Sequence, residues 1–345
     1  MRSVLFLLLA TSSACMPGQW VGYGSSGYSG GAGGAPSQQP GAVPSEPPPA
    51  PNLVATGAAK RLERVTHDDD TAETSPAVSH DGKWLLYASV IPETDDAEKQ
   101  VRIMRSKADG RGGVVMSKSN AYASSPSWMP SGKSYLAVSD ALGSRDIVKA
   151  LRVTPNAATS RVLSGRDLPE VYGLEVSPSG THVAFHSNVG GVWTIGVARI
   201  DGSELTNLVP GAFPTWSPDG TRLAFHHQGN DGYQIYITDI EGGEMTQVTD
   251  GDATNEYPTW SPDGASIAFL SNRGWNRFAE GTESVRNVYV VHTDGTGLVA
   301  LTDGARGAEE PTWASDGRIY FASNEAGSWD IWRLDPDEAA IAAAR

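Results

Sequence analysis

From Lys60 to Leu334 the chain alternates apolar and polar residues with a period of two, in short runs broken by Gly, Pro, Asp and Asn. That period belongs to half-buried β-strands and not to helices. The stretch from Tyr257 shows the unit most plainly. Tyr257-Pro-Thr-Trp-Ser reads as a first strand, Pro262-Asp263-Gly264 as a tight turn, and Ser266-Ile-Ala-Phe-Leu as a second strand. After a longer loop, Asn287 to Thr293 is a third strand, and Asp294-Gly295 turns the chain into a fourth, Gly297 to Thr302. Pro presets φ, Asp bonds its own backbone and Gly accepts positive φ, so such turns reverse the chain within a few residues. The unit is a four-stranded antiparallel meander.

The unit repeats. Pro258 to Gly264 reads Pro-Thr-Trp-Ser-Pro-Asp-Gly; Pro214 to Gly220 is identical, and Pro311 to Gly317 differs only at Ala314 and Ser315. Worn copies are Pro76 to Gly82, Pro126 to Gly132 and Leu174 to Gly180, so the terminal glycines fall at 82, 132, 180, 220, 264 and 317. A period of about 40 to 50 residues is that of a propeller or an array. The last repeat stops after its third strand, Asp330 to Leu334, whereas Lys60 to Thr66 has the Leu-x-x-Val-Thr shape of a fourth strand with no meander of its own. An N-terminal strand that completes the C-terminal sheet closes a ring and leaves no open edge between the chain ends. The prediction is an all-β, six-bladed β-propeller of four-stranded antiparallel blades, closed by the N-terminal strand. Beyond it, Asp335-Pro336 opens a short Ala-rich segment, with Asp335 as its cap and Pro336 at the first helical position.

These residues resemble the TolB-like propellers, relatives of the WD-repeat propellers, whose blades carry Pro-x-Trp-Ser-Pro-Asp-Gly. The resemblance spans Lys60 to Asp335. It implies the propeller fold, a place in the bacterial cell envelope, and action chiefly by binding other proteins. TolB carries an α/β domain before its propeller, where this chain has a Gly/Pro-rich stretch. The resemblance therefore extends to fold and mode of binding and not to the Tol-Pal system.

Composition changes the picture mainly at the N-terminus. Of the 345 residues, the sole cysteine is Cys15, so no intrachain disulfide forms. Arg2, the apolar run Val4 to Ala10 and the small residues before Cys15 read as an export signal, residues 1–14, too short to span a bilayer. Small residues followed by Cys resemble a lipobox, although Ser12 stands where Leu is preferred. Cys15 is accordingly the candidate lipidation site, and the protein is expected to be periplasmic or outer-membrane-anchored. Residues 15–59 read as a disordered tether: Pro17 to Ala59 holds 10 Gly, 8 Pro and a single charge, Glu46. A coil of that length reaches about 35–40 Å. The propeller is assigned to 60–336 and a short C-terminal segment to 337–345. The formal charge of −14 argues against nucleic acid as a partner.

Loops leading into the first strands gather at one mouth of a propeller's tunnel. Here they bring Asp68, Asp69, Asp70 and Glu73, then Glu170, Asn255 with Glu256, and Glu309 with Glu310. An acidic mouth favours a basic peptide segment or a cation. No cofactor is expected; a tunnel cation such as Ca2+ is the exception left open, without an Asp-x-Asp-x-Asp-Gly loop to hold it. The long loop from Ser271 to Asn287 departs most from the repeat, and Asn272, Arg273 and Trp275 have the mix of Arg and aromatic side chains found at interface hot spots. The motif tryptophans Trp128, Trp216, Trp260 and Trp313 read as packing between blades, and Asp81, Asp219, Asp263 and Asp316 as turn residues. His186 and His226 occupy equivalent positions in adjacent sheets about 10 Å apart, too far to share one zinc ion. The expectation is a monomeric, non-catalytic envelope binding module. A propeller enzyme of the polysaccharide lyase or peptidase-associated type, or a glycan-binding propeller, is the alternative.

Overall fold

The structure is a computed structural model that describes residues 53–68, 70–91, 100–117, 121–142, 146–150, 153–164, 171–229, 232–274, 285–304 and 307–344. Six four-stranded antiparallel sheets follow one another along the chain. Their first strands are Ala72–Val78, Ala123–Trp128, Tyr172–Val176, Ala212–Trp216, Asn255–Trp260 and Ala308–Trp313, which we number as blades 1 to 6. Each first strand packs against those of its two neighbours, blade 6 against blade 1, so the six line a central channel. Call the end where they begin the leading face, and the end where their Pro-Asp-Gly turns lie the turn face.

Ring closure is as predicted. Ala59–Arg64 pairs antiparallel with Asp330–Pro336, Leu62 opposite Leu334 and Arg64 opposite Trp332. Arg64 meets the fully buried Asp330 at 2.9 Å. Thr66 explains the Val-Thr signature: its Oγ1 accepts the Ile331 N–H at 2.8 Å, just as Thr249 accepts from Ile235 and Thr302 from Val288, each at 2.9 Å. In blades 4, 5 and 6 this hydroxyl ties the end of the fourth strand to the start of the third.

Two details differ from the sequence reading. The fold takes in residues before Lys60, because Val54–Ala55 pairs with Thr302–Asp303 of blade 5, and Leu53 and Ala58 are buried in the core. The short helix Glu338–Ala343 is capped by Asp337, whose carboxylate accepts from the amides of Ala339 and Ala340. Pro336 instead ends the third strand of blade 6, where a missing N–H costs nothing.

The motif builds the ring. In its turns the Ser hydroxyl donates to the Asp carboxylate (Ser79–Asp81 2.7 Å, Ser217–Asp219 2.6 Å, Ser261–Asp263 2.6 Å) and accepts an N–H from the start of the second strand. These bonds hold Asp81 and Asp219 down at about 2, so the aspartates serve the turn, as expected. The indole N–H of Trp128, Trp216 and Trp260 donates to the carbonyl of Ala77, Glu175 and Thr215 in the preceding blade, at 3.0–3.1 Å. Apolar clusters therefore form between blades, as where Trp216, Leu223 and Phe225 meet Ala184, Ile195 and Val197. Trp313 differs, bonding Gly317 O in its own turn at 3.2 Å.

Candidate functional site

Each first strand is interrupted at one equivalent position. Ser75, Ser125, Gly173, Phe213, Tyr257 and Glu310 all have φ between 47° and 53–55°, and the ladder to the second strand shifts register there in all six blades. These are β-bulges, and a left-handed backbone costs a non-glycine residue about 1–2 kcal/mol. In five blades the next residue is Pro (Pro76, Pro126, Pro214, Pro258, Pro311), which lacks an N–H and so is tolerated on a free inner edge.

From this bulge ring to the turn face, the channel widens into a cavity of about 370 Å3. Its walls are the prolines, Leu174, and the residue two beyond each bulge: Ala77, Ser127, Glu175, Thr215, Thr259 and Thr312. The latter have a repeated task. Ser127 Oγ accepts the Val176 N–H at 3.0 Å, Glu175 Oε2 the Trp216 N–H at 2.8 Å and Thr259 Oγ1 the Trp313 N–H at 3.0 Å. Each satisfies an edge amide of the next blade that would otherwise face the channel unpaired.

The bulge ring is lopsided. In blades 3 to 5 it continues into a file of rings: Tyr172 on His186 (6.0 Å between centroids), His186 on Phe213 (4.5 Å) and Phe213 on Tyr257 (4.4 Å). Trp193 joins at His186, and Tyr233 at His226. His186 Nδ1 accepts the Phe213 N–H at 3.2 Å and His226 Nδ1 the Tyr257 N–H at 3.1 Å. The two histidines thus hold bulge amides across successive blades. Burial pushes His186 down to about 3 and His226 down to about 4, so both are neutral acceptors. In blades 6, 1 and 2 the ring carries Glu310, Ser75 and Ser125.

The carboxylates assigned to the mouth lie inward. Glu73, Glu256 and Glu309 are 3%, 8% and 2% exposed, and Asn255 is fully buried. Glu256 pairs with Arg286 at 3.0 Å, a cation that sequence reasoning missed because it ends the divergent loop of blade 5, outside the repeat. Glu310 lines the turn-side cavity and accepts from Ser75 Oγ across the blade 6–blade 1 junction. Asn272 Oδ1 accepts the Thr254 N–H at 2.9 Å, and Arg273 bonds Asp250 O at 2.8 Å, so both brace neighbouring loops. Cys15, Asp69, Glu170 and Trp275 lie outside the described residues.

Glu73 sits at the closure junction beside Thr66, Asp68 and Asp330; burial is the main cause that pushes it up to about 7. A folded-state value above the ordinary one favours the protonated form. Its contribution to stability is full below about pH 4.5 and is lost as pH rises through about 7. Glu73→Gln is expected to raise the thermal midpoint at pH 8 by about 2–4 °C and to leave it nearly unchanged at pH 5. Thermal melts at the two pH values check this; an equal shift at both would rule out the ionisation as its source.

Two carboxyls reach the cavity wall, Glu175 and Glu310, and its described lining holds no Lys or Arg. Burial pushes Glu175 up to about 7 against the opposing bonds from Thr215 and the Trp216 amide, and burial likewise raises Glu310. Among the described residues no group of three or more His, Cys, Asp or Glu is placed to hold a metal ion.

Comparison with known proteins agrees with this architecture. Residues 175–278 match the TolB beta propeller domain. No curated protein sequence matches the chain. The putative TolB from Agrobacterium tumefaciens superposes with a TM-score of 0.56 at 17% identity, over 80% of this chain and 97% of that one. TolB from Acinetobacter baumannii gives a TM-score of 0.56 at 18% identity, over 75% of this chain and 65% of that one. An oligogalacturonate lyase in complex with manganese gives 0.52 at 13% identity, over 84% and 96%. At such identities the likeness is one of fold. The chain is a six-bladed β-propeller similar in fold to TolB, and residues 175–278 match the TolB beta propeller domain.

Proposed function

We propose that the protein is a non-catalytic binding module of the cell envelope that receives a segment of a partner protein in the turn-side cavity. The cavity itself carries this reading: a space of about 370 Å3 walled by prolines, hydroxyls and indoles, with few charges. Concave, mostly apolar sites with a few fixed polar groups are the usual form of binding pockets. The TolB-like fold supports it, since such propellers act by binding proteins. Export through the N-terminal signal, and anchoring through Cys15, belong to the same proposal. The expected partner is an envelope protein or peptide, with no nucleic acid involved.

Thr312 stands on the cavity wall and is half-buried. Thr312→Trp is expected to fill the cavity while leaving the blade junctions intact. In crosslinking and pull-down from the native envelope, proteins captured by the wild type should be lost, by about tenfold or more, with Thr312→Trp. Equal capture by both would place the binding surface elsewhere.

A further inference from the structure

We infer that the leading face at blades 3 to 5 binds a neutral oligosaccharide, whose sugar rings lie on Trp193 and Tyr233 and whose hydroxyls bond His226 and Arg286. This goes beyond the binding role of the turn-side cavity, which lies on the opposite face.

Strand register places these residues. The first strands pair Tyr172 with His186, Ala212 with His226 and Glu256 with Leu270, whereas Thr74 meets Ala88 in blade 1. The third strands put Ile195, Ile235, Val288 and Ile103 opposite His186, His226, Leu270 and Ala88. Two residues earlier, at the leading end of each third strand, stand Trp193, Tyr233, Arg286 and Val101. In blade 1 a buried valine completes that corner. Blades 3 and 4 set large rings there instead, and Trp193, Tyr233 and the Tyr172 beside Trp193 are all partly exposed. The corner closes without them, and a partly exposed ring offers a flat apolar face to a ligand.

Two buried polar atoms at this place have no partner in the protein. His226 is 1% exposed, and with Nδ1 accepting the Tyr257 N–H its neutral ring carries the proton on Nε2. That N–H has no acceptor; it is turned away from the Tyr257 amide, on a ring that faces Tyr233 and has Glu256 and Arg286 near it. At the same junction Oδ1 of the fully buried Asn255, whose side-chain amide donates to Gln234 of blade 4, has no donor. A hydroxyl answers a donor and an acceptor alike, which a carboxylate or an ammonium cannot. Arg286, paired with Glu256 at 3.0 Å, adds a planar set of donors on the next blade. Flat rings for the C–H faces of sugars, with donors and acceptors for their hydroxyls, are the complement of a saccharide. The carboxylates of Glu256 and Glu309 on this side of the bulge ring disfavour a sugar acid. Adjacent sheets stand about 10 Å apart, so Trp193 and Tyr233 meet different sugar units of one chain.

Saturation-transfer NMR on the full chain tests this with cellobiose, maltose and N,N′-diacetylchitobiose as neutral probes. Digalacturonate serves as the anionic probe, and glycerol as a source of hydroxyls without a ring. At least one neutral disaccharide is expected to bind saturably, with transfer strongest at its ring C–H protons. Digalacturonate and glycerol should bind at least about tenfold more weakly. Trp193→Val and Tyr233→Val each introduce the residue of blade 1 and should weaken the disaccharide by about fivefold or more. Trp193→Phe keeps a ring and should recover most of that loss. Thr312→Trp, which fills the cavity on the opposite face, should bind the sugar as the wild type does, so the two readings fail separately. Thermal melts confirm that the variants fold. Absence of binding by every neutral disaccharide would leave a bound water as the partner of His226 and overturn the inference. Equal binding of glycerol or digalacturonate, or unchanged binding in both valine variants, would overturn it too.

Discussion

A chain lacking Lys60–Thr66 is expected to melt at least about 10 °C below the full-length protein, with the loss spread over the whole ring. The segment contributes more than a strand of backbone bonds. Removing it strands the carboxylate of Asp330, fully buried and paired with Arg64 at 2.9 Å, and an unpaired buried charge costs about 3–5 kcal/mol. Val65 and Thr66 leave the core, and the Ile331 N–H loses its acceptor. At roughly 2–4 °C per kcal/mol for a domain of this order, these losses alone reach that shift. The exposed edge of Asp330–Pro336 also becomes free to pair with other chains, so aggregation on heating should increase. Arg64→Met keeps the strand and is expected to give a smaller drop. Calorimetry of the three proteins decides the matter, and a deletion melting within about 2 °C of the wild type would refute closure as a source of stability.

The second large effect is expected at the indoles. Trp260 is 4% exposed, bonds Thr215 O at 3.1 Å and lies under the Arg222 guanidinium, 4.9 Å from its centroid. Trp260→Ala should cost about 3–5 kcal/mol, as for large buried aromatics generally. Trp313 is half-buried and bonds its own turn instead of the blade before it. Trp313→Ala is therefore expected to cost about half as much, although the two lie at equivalent places in nearly identical motifs. Urea titrations with unchanged slope measure both; equal losses would mean that the inter-blade bond contributes nothing of its own.

The propeller was legible because its signals are local. The Pro-Asp-Gly turns, the alternation and the orphan Leu-x-x-Val-Thr strand can each be read within a few residues, and together they set blade number and closure. The site was only partly legible, and the bulge is the reason. Ser75, Ser125, Gly173, Phe213, Tyr257 and Glu310 share no chemistry, so nothing in their side chains announces a common positive φ. Yet that bulge breaks the two-residue alternation in mid-strand. Starting each first strand at the motif leaves Glu256 and Glu309 in the entry loops at a solvated mouth, whereas the strands begin earlier, at Asn255 and Ala308, and both carboxylates are buried. Glu175 went unremarked because it occupies the Thr position of a worn motif copy and looks like decay of the repeat. The cavity lies among the motif residues, which serve architecture and line the space at once.

The N-terminal wrap has a mechanical consequence. Val54–Ala55 runs away from the leading face along blade 5, the chain turns at Thr56, and Ala59–Arg64 returns along blade 6. The chain therefore meets the ring at the leading face, on the side opposite the cavity. A pull from that direction loads the Val54–Ala55 pairing along its length, where the bonds of Thr56 to Leu301 and Ala300 share the strain. The closing strand behind the turn is shielded until this first pairing yields. A chain held from that side would have the wrap as its strain relief, and the cavity on the opposite face would stay uncovered.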